Sequence, residues 1–255
     1  MRIALGVEYN GFDFFGWQAQ ENLSTIQGSL ESALSKIADH PVTIYCAGRT
    51  DAQVHATGQV IHFDTTSIRD MRAWTVGANT NLPPSIAIRW GIEVNEQFHA
   101  RYTAIARKYR YCIYNNPLRP AILSHLATWQ YAVLDHKLMH EAAQFLIGEH
   151  DFTSFRSSQC ESKTAMRNIL KINVLRSGQM VIIEVEANAF LHHMVRNMTG
   201  VLIEVGKGLK SVTWVKEVLQ AKDRRLAAPT APAAGLYLIN VKYPVKYGIP
   251  DSEPL

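Results

Sequence analysis

The chain begins in alternation. Residues 2 to 10, RIALGVEYN, read as a strand from the first apolar position. The segment NGFDFFGWQAQ follows, rich in glycine and aromatics, and reads as a loop. Its aromatic side chains either plug the end of a sheet or line a site. Ser24 and Thr25 precede IQGSLESALSKIADH, where Ile26, Leu30, Leu34 and Ile37 recur at helical spacing, so a helix is expected to end before Pro41. Strands are expected over 42–46, 59–65 and 85–94, with a second helix over 69–79 that the Asn81-Leu-Pro-Pro segment breaks. The order β-α-β-β-α-β is the ferredoxin-like pattern, an antiparallel sheet with both helices on one face.

The second half reads similarly. An aromatic strand covers 107–116, and a short strand is expected over 127–132. Asp135 is placed to cap a helix that Gly148 ends. Residues 149–167 have no period and are expected to be a loop; strands follow over 168–176 and 180–188 around a Ser-Gly turn. A helix over 190–206, a short helix WVKEVLQAK, a Pro/Ala-rich loop and a last strand LYLINVKY complete the chain. The element order repeats although the sequence does not. The expectation is an α+β protein of two ferredoxin-like halves, residues 1–104 and 105–255, sharing a central, mostly antiparallel sheet with a cleft between them.

Composition narrows the classes. With 255 residues and 47% apolar content, the chain has ample material for a core and is not a disordered segment. Lys and Arg number 26 against 22 Asp and Glu, a formal +4 that permits nucleic-acid binding without requiring it. Cys46, Cys112 and Cys160 are widely spaced and form no CxxC or Cys/His cluster, so neither a disulfide framework nor a zinc site is indicated. A reducing cytoplasm fits. There is no leader pattern at the start and no apolar run of membrane-spanning length.

Three stretches could carry chemistry. In AGRTDAQVHATGQVIHF, residues 47–63, Arg49, Thr50 and Asp51 sit in a turn between strands. On spacing alone an aspartate there is first of all a turn former. As a nucleophile or base it would benefit from Arg49, which favours the ionised carboxylate. Asp64, well along the next strand, is no obvious partner, which argues against ordinary glycoside hydrolysis. In ANAFLHHMVRNMTG, His193, Arg196, Asn197 and Gly200 share a helical face amid apolar residues, a stripe suited to lining a cleft. His192 and His193 are adjacent and lack the HxxxH spacing of a zinc helix. In RKYRYCIY, Tyr109, Tyr111 and Ile113 project to one side of a strand. Cross-strand packing is the ordinary use of such rings, and base stacking the functional one.

These blocks together carry a resemblance. YNGFDFFGWQAQ, AGRTDAQVHATGQV, FHARYTAIARKYRYCIYN, HDFTSFR, ANAFLHHMVRNMTG and GLYLINVKY, in this order and over nearly the whole chain, resemble the motifs of the TruA family of tRNA pseudouridine synthases. The resemblance implies an isomerase that converts uridine to pseudouridine at positions 38, 39 and 40 of the tRNA anticodon stem-loop. It implies no cofactor and no metal, tRNA as partner, and a homodimer. Carried over by motif, Asp51 is the essential carboxylate, as nucleophile or as base in a glycal route. Tyr109 stacks on the target base, Arg196 pairs with Asp51, Arg49 helps to displace the flipped nucleotide, and Leu236 packs against the base. His193 and Asn197 fall on the substrate side of the same helix motif.

Two positions depart from the family pattern: Gln53 stands where glycine is usual, and Asn10 where aspartate is frequent. Two other readings compete. A non-catalytic RNA-binding protein explains the basic tyrosine strand but not Asp51, Arg49 and Arg196 together. A small-nucleoside enzyme with a lone aspartate would turn over free uridine with little salt dependence, whereas tRNA binding weakens steeply with salt.

Overall fold

The computed structural model describes residues 1–251. In chain order the strands and α-helices are β1 (Arg2–Tyr9), α1 (Ile26–Ala38), β2 (Tyr45–Cys46), β3 (His55–Asp64), β4 (Ile86–Val94), β5 (Ala106–Asn115), β6 (Thr128–Gln130), α2 (His136–Ala143), β7 (Gly148–Asp151), β8 (Met166–Ser177), β9 (Met180–Ala187), α3 (Met194–Gly206), α4 (Trp214–Ala221) and β10 (Leu236–Lys242). The class is mixed α+β with mostly antiparallel pairing. Two compact units form: Met1–Arg107 with the chain from Tyr237 onward, and Lys108–Leu236.

In the first unit the strands run β4-β1-β3-β10, with β2 on β3. The β1/β3, β1/β4 and β2/β3 pairs are antiparallel, and β10 runs parallel to β3 through Tyr237↔His55 and Leu238↔Ala56. β1 is central, and its Ile3, Ala4, Leu5 and Val7 are buried. α1 starts where the Thr25 hydroxyl accepts from the Gly28 amide, an N-cap of the kind worth about 1 kcal/mol. It stops because Asp39 turns left-handed, φ 58°, and it buries Ile26, Leu30 and Leu34. The helix expected over 69–79 is a helical segment interrupted by a π-turn, Ala73–Gly77. There the Thr75 hydroxyl donates back to the Met71 carbonyl at 3.1 Å, a bond that loosens a regular helical turn.

In the second unit the order is β5-β9-β8-β7, with β6 parallel to β5. α2 begins as expected, with the Asp135 carboxylate accepting from the amides of Lys137 and Leu138. It ends earlier than expected, at Ala143, and a 3-10 turn carries the chain to Gly148. Gly148 opens a strand instead of closing a helix: β7 pairs antiparallel with β8, so part of the expected 149–167 loop is an edge strand. Four residues are too few to display alternation.

β5 shows its two faces clearly. Tyr109, Tyr111 and Ile113 are buried, whereas Lys108 and Arg110 both reach Glu184 on β9, at 2.6 and 2.7 Å. Burial pushes the Glu184 carboxyl up, but the hydrogen bonds from Lys108 and Arg110 outweigh it and hold the group below the ordinary carboxylate range. A lowered folded-state pKa contributes stability that is present above the unfolded value and lost as pH falls through the folded one. Glu184→Gln is therefore expected to cost about 1–2 kcal/mol at pH 7. Urea denaturation at decreasing pH should show the gap to the parent closing below about pH 4.

Candidate active site

The site is built upward from the turn that follows β2. Val42 and Ile44 are buried, and the Ala47 amide donates to the Val60 carbonyl, which brings Gly48, Arg49, Thr50 and Asp51 out beyond the end of the sheet. The Val54 amide closes the turn on the Asp51 carbonyl at 3.2 Å, and His55 then begins β3. Asp51 is half-buried and Arg49 exposed. Asp64 is accounted for elsewhere: at the far end of β3 it receives two hydrogen bonds from Arg2, both 2.8 Å. Asp64 is thus engaged by Arg2 instead of being offered to the turn.

The turn is braced from below by polar side chains sealed from water. The Tyr9 hydroxyl meets the Thr50 hydroxyl at 2.8 Å, and the Gln59 amide donates to the Gly48 carbonyl at 2.7 Å and to Tyr9 Oη at 3.4 Å. All three side chains are buried, so each unmade bond would leave a desolvated polar group costing about 1–3 kcal/mol. The loop at residues 10–17 braces the turn from the side. The Trp17 amide donates to the Thr50 carbonyl at 3.0 Å, and the Gly11 amide donates to His55 Nδ1 at 3.0 Å. That bond makes Nδ1 an acceptor and fixes the tautomer of His55, whose ring also stacks on Tyr237 at 4.7 Å.

Both glycines of the loop are required by contact. A Cβ on Gly11 would lie 2.0 Å from the Val54 carbonyl oxygen. One on Gly16, where φ is +89°, would crowd the backbone of Thr50, Asp51 and Ala52 at 3.1–3.2 Å. Of the loop's aromatics, Phe14 and Trp17 are core while Phe15 is exposed. The two sequence readings of this loop therefore both apply, to different side chains.

The remaining expected site residues lie in the second unit. Tyr109 on β5 is 9% exposed, and its ring meets the edge of Phe190 at 5.0 Å. Leu236, the first residue of β10, is buried. The polar stripe on the 190–206 segment needs correction at one end. α3 starts at Met194, and His193 is the residue before it, left-handed at φ 61°, so it does not share a helical face with the others. The paired histidines stack at 3.9 Å, and the backbone turn there is what ordinary helical periodicity could not anticipate.

The rest of the stripe docks the Pro/Ala-rich loop. Arg196 Nε donates to the Ala231 carbonyl at 2.9 Å, the Ala231 amide returns a bond to Arg196, and Gly200 faces the Pro229 carbonyl. Asn197 is fully buried: its amide donates to the Phe155 carbonyl at 2.8 Å, and its oxygen accepts from Arg224 and Thr230. Arg224 and Thr230 were not singled out in the sequence. Their only signal was the density of Pro and Ala around them, which marks a loop needing anchorage.

Gln53 adopts φ 66°, the left-handed conformation that glycine takes at little cost, and its side chain is exposed. Gln53→Gly is expected to relieve about 1 kcal/mol of backbone strain while keeping comparable turnover. Chemical denaturation and tRNA turnover check the two halves of this statement. A large loss of turnover would instead give the glutamine side chain a role on RNA.

Comparison with known proteins is consistent with this site. A family model described as tRNA pseudouridine synthase matches residues 6–103 and 142–244. A protein from Aliivibrio fischeri named tRNA pseudouridine synthase A is 56% identical over 250 residues, covering 98% of this chain and 95% of its own. One of the same name from Legionella pneumophila is 57% identical over 254 residues, covering 100% and 97%. Among solved structures, a Cbf5-Nop10-Gar1 complex aligns with 78% of this chain and 54% of that one at 11% identity and a TM-score of 0.34, too distant to inform the fold. The matched segments include the Asp51 turn, the loop that braces it and α3, and the chain belongs to the tRNA pseudouridine synthase family.

Proposed function

We propose that this chain isomerises uridine to pseudouridine at positions 38, 39 and 40 of the tRNA anticodon stem-loop, with Asp51 as the essential carboxylate. The observation that carries the reading is the Asp51 turn itself: a half-buried carboxylate on a backbone fixed by Tyr9, Trp17, His55 and Gln59. Membership of the family supports the reaction class. Asp51 either attacks C1′ as N1 departs or removes a sugar proton to open a glycal route. In both cases the detached base turns, C5 bonds to C1′ as Asp51 is released or the sugar proton is returned, the C5 proton leaves and N1 takes up a proton. The product is an isomer of the substrate, so the reaction consumes no redox partner.

The other roles follow the motifs. Tyr109 stacks on the flipped base, offsetting part of the few kcal/mol that unstacking costs, and its hydroxyl helps to move the C5 proton. Arg196 pairs with Asp51, Arg49 fills the place of the displaced nucleotide, and Leu236 and His193 bound the base. Asn197, engaged on Phe155, Arg224 and Thr230, acts by holding the loop that Arg196 also grips.

We further infer two ferredoxin-like halves, residues 1–104 with the aspartate and 105–255 with the Tyr/Arg/Leu side, that enclose an RNA cleft and work as a homodimer. The repeated order of strands and helices supports the two halves, and the family resemblance supports the cleft and the homodimer. The three free thiols fit a cytoplasmic setting.

Tritium release from tRNA labelled at uridine C5 tests the reading. The parent is expected to release label from the anticodon arm, whereas Asp51→Asn binds tRNA and releases none, because an amide is neither nucleophile nor base. Tight, salt-sensitive binding by the parent with no release from any tRNA would make the chain an RNA-binding relative only. Tyr109→Phe is expected to keep tRNA affinity and lose about a hundredfold in kcat, the low end for a general acid-base group. Full activity would reduce Tyr109 to a stacking surface.

A further inference from the structure

Beside the turn, the first unit carries an array of rings that none of these roles uses. It begins in the core at Phe98, which packs against Tyr243 and Tyr247, and meets His62 edge-on at 5.9 Å. His62 in turn touches the Tyr45 ring at 5.1 Å, nearly parallel, and the His99 ring at 4.6 Å. His99 carries Tyr102 at 4.3 Å. Exposure climbs along the array: Phe98 and His62 are buried, Tyr45 is 50% exposed and Tyr102 is 76% exposed. Arg101 is exposed, with its guanidinium carbon 5.8 Å from the Tyr102 ring centre.

The rings are held in place and electrically neutral. His62 Nδ1 accepts from the Ala100 amide, and His99 Nδ1 accepts from the amides of Arg101 and Tyr102. Burial lowers the pKa of both histidines, His62 to about 4, aided at His62 by His99 and Arg2 and at His99 by Arg2 and Arg101. The Tyr102 turn is tied to the segment that leads into the Asp51 turn, because one Arg107 nitrogen donates to the carbonyls of both Arg101 and Ala47. Packing alone does not call for Tyr102: three-quarters of it faces water, on a rigid support, beside a cation. That is the composition of a base-stacking platform with a phosphate contact.

We propose that Tyr102, supported by His99 and flanked by Tyr45 and Arg101, is a second RNA-binding site that stacks a nucleobase of the substrate away from the reacting uridine. It rests on the reading that the substrate is tRNA. Tyr45 precedes Asp51 by six residues, so their Cα atoms are no more than roughly 22 Å apart along an extended chain, and the Tyr102 ring follows from Tyr45 through His99, at 5.6 and 4.3 Å between ring centres. The whole span is on the order of ten stacked bases at most, so both sites fit within one RNA arm.

The test uses the full chain and a tRNA transcript, reading Kd by filter binding and kcat and KM by tritium release. Tyr102→Ala is expected to raise Kd and KM about tenfold with kcat within about twofold of the parent, and Tyr102→Phe to behave as the parent. Arg101→Gln is expected to reduce the salt slope of binding by about one, which Tyr102→Ala leaves unchanged. Unchanged Kd and KM in Tyr102→Ala would overturn the proposal and leave the patch to a protein partner. Equal losses in the alanine and phenylalanine variants would overturn it too, because the ring would then not be the contact. Kd is read independently of turnover, so an inactive parent would count against the isomerase reading and leave this test intact.

Discussion

The amide of Trp17 donates to the carbonyl of Thr50, and the amide of Gly11 to the ring of His55. These two bonds make the residue 10–17 loop and the Asp51 turn one rigid object. Everything required of the carboxylate depends on it. A reacting group must be held to within fractions of an ångström, and a surface turn on its own has no such stiffness. The stiffness here comes from burying polar side chains beneath the turn and satisfying them, so that any shift of the turn exposes an unmet bond. Gln59, wholly buried on a strand with its amide on the Gly48 carbonyl, illustrates the arrangement.

The brace explains why the sequence looks unusual where it does. Glycine at 11 and 16 is needed because backbone stands where a side chain would be. Tyr9, His55 and Gln59 are polar residues at buried strand positions. Judged by strand patterning alone they are errors; judged by the turn above them they are its foundation. The second unit uses the same device, where Asn197 joins the 3-10 turn at Phe155 to the Pro/Ala loop through one amide.

Elements fixed by local chemistry were legible in the sequence. Thr25 and Asp135 cap the helices they were expected to cap. β1, β4, β5, β8 and β9 lie close to where alternation puts them. What escaped has no local signature. β7 exists because β8 offers it an edge, and the π-turn at Ala73–Gly77 arises inside an otherwise ordinary helical stretch. His193 was assigned to a helix face by periodicity, but the chain enters α3 one residue later from a left-handed turn. The family was legible from motifs. The hydrogen bonds that steady the Asp51 turn were not, because partners as distant in sequence as Tyr9 and Thr50, or Gly11 and His55, leave no periodic trace.

The first unit is interrupted: the chain leaves it after Arg107 and re-enters at Tyr237. Its last strand, β10, pairs with β3 beginning at His55, and Tyr237 stacks on that same ring. The ring at the start of β3 therefore takes its stacking neighbour from a segment far along the chain, so a change confined to β10 reaches the support of the Asp51 turn without altering any residue of the turn itself.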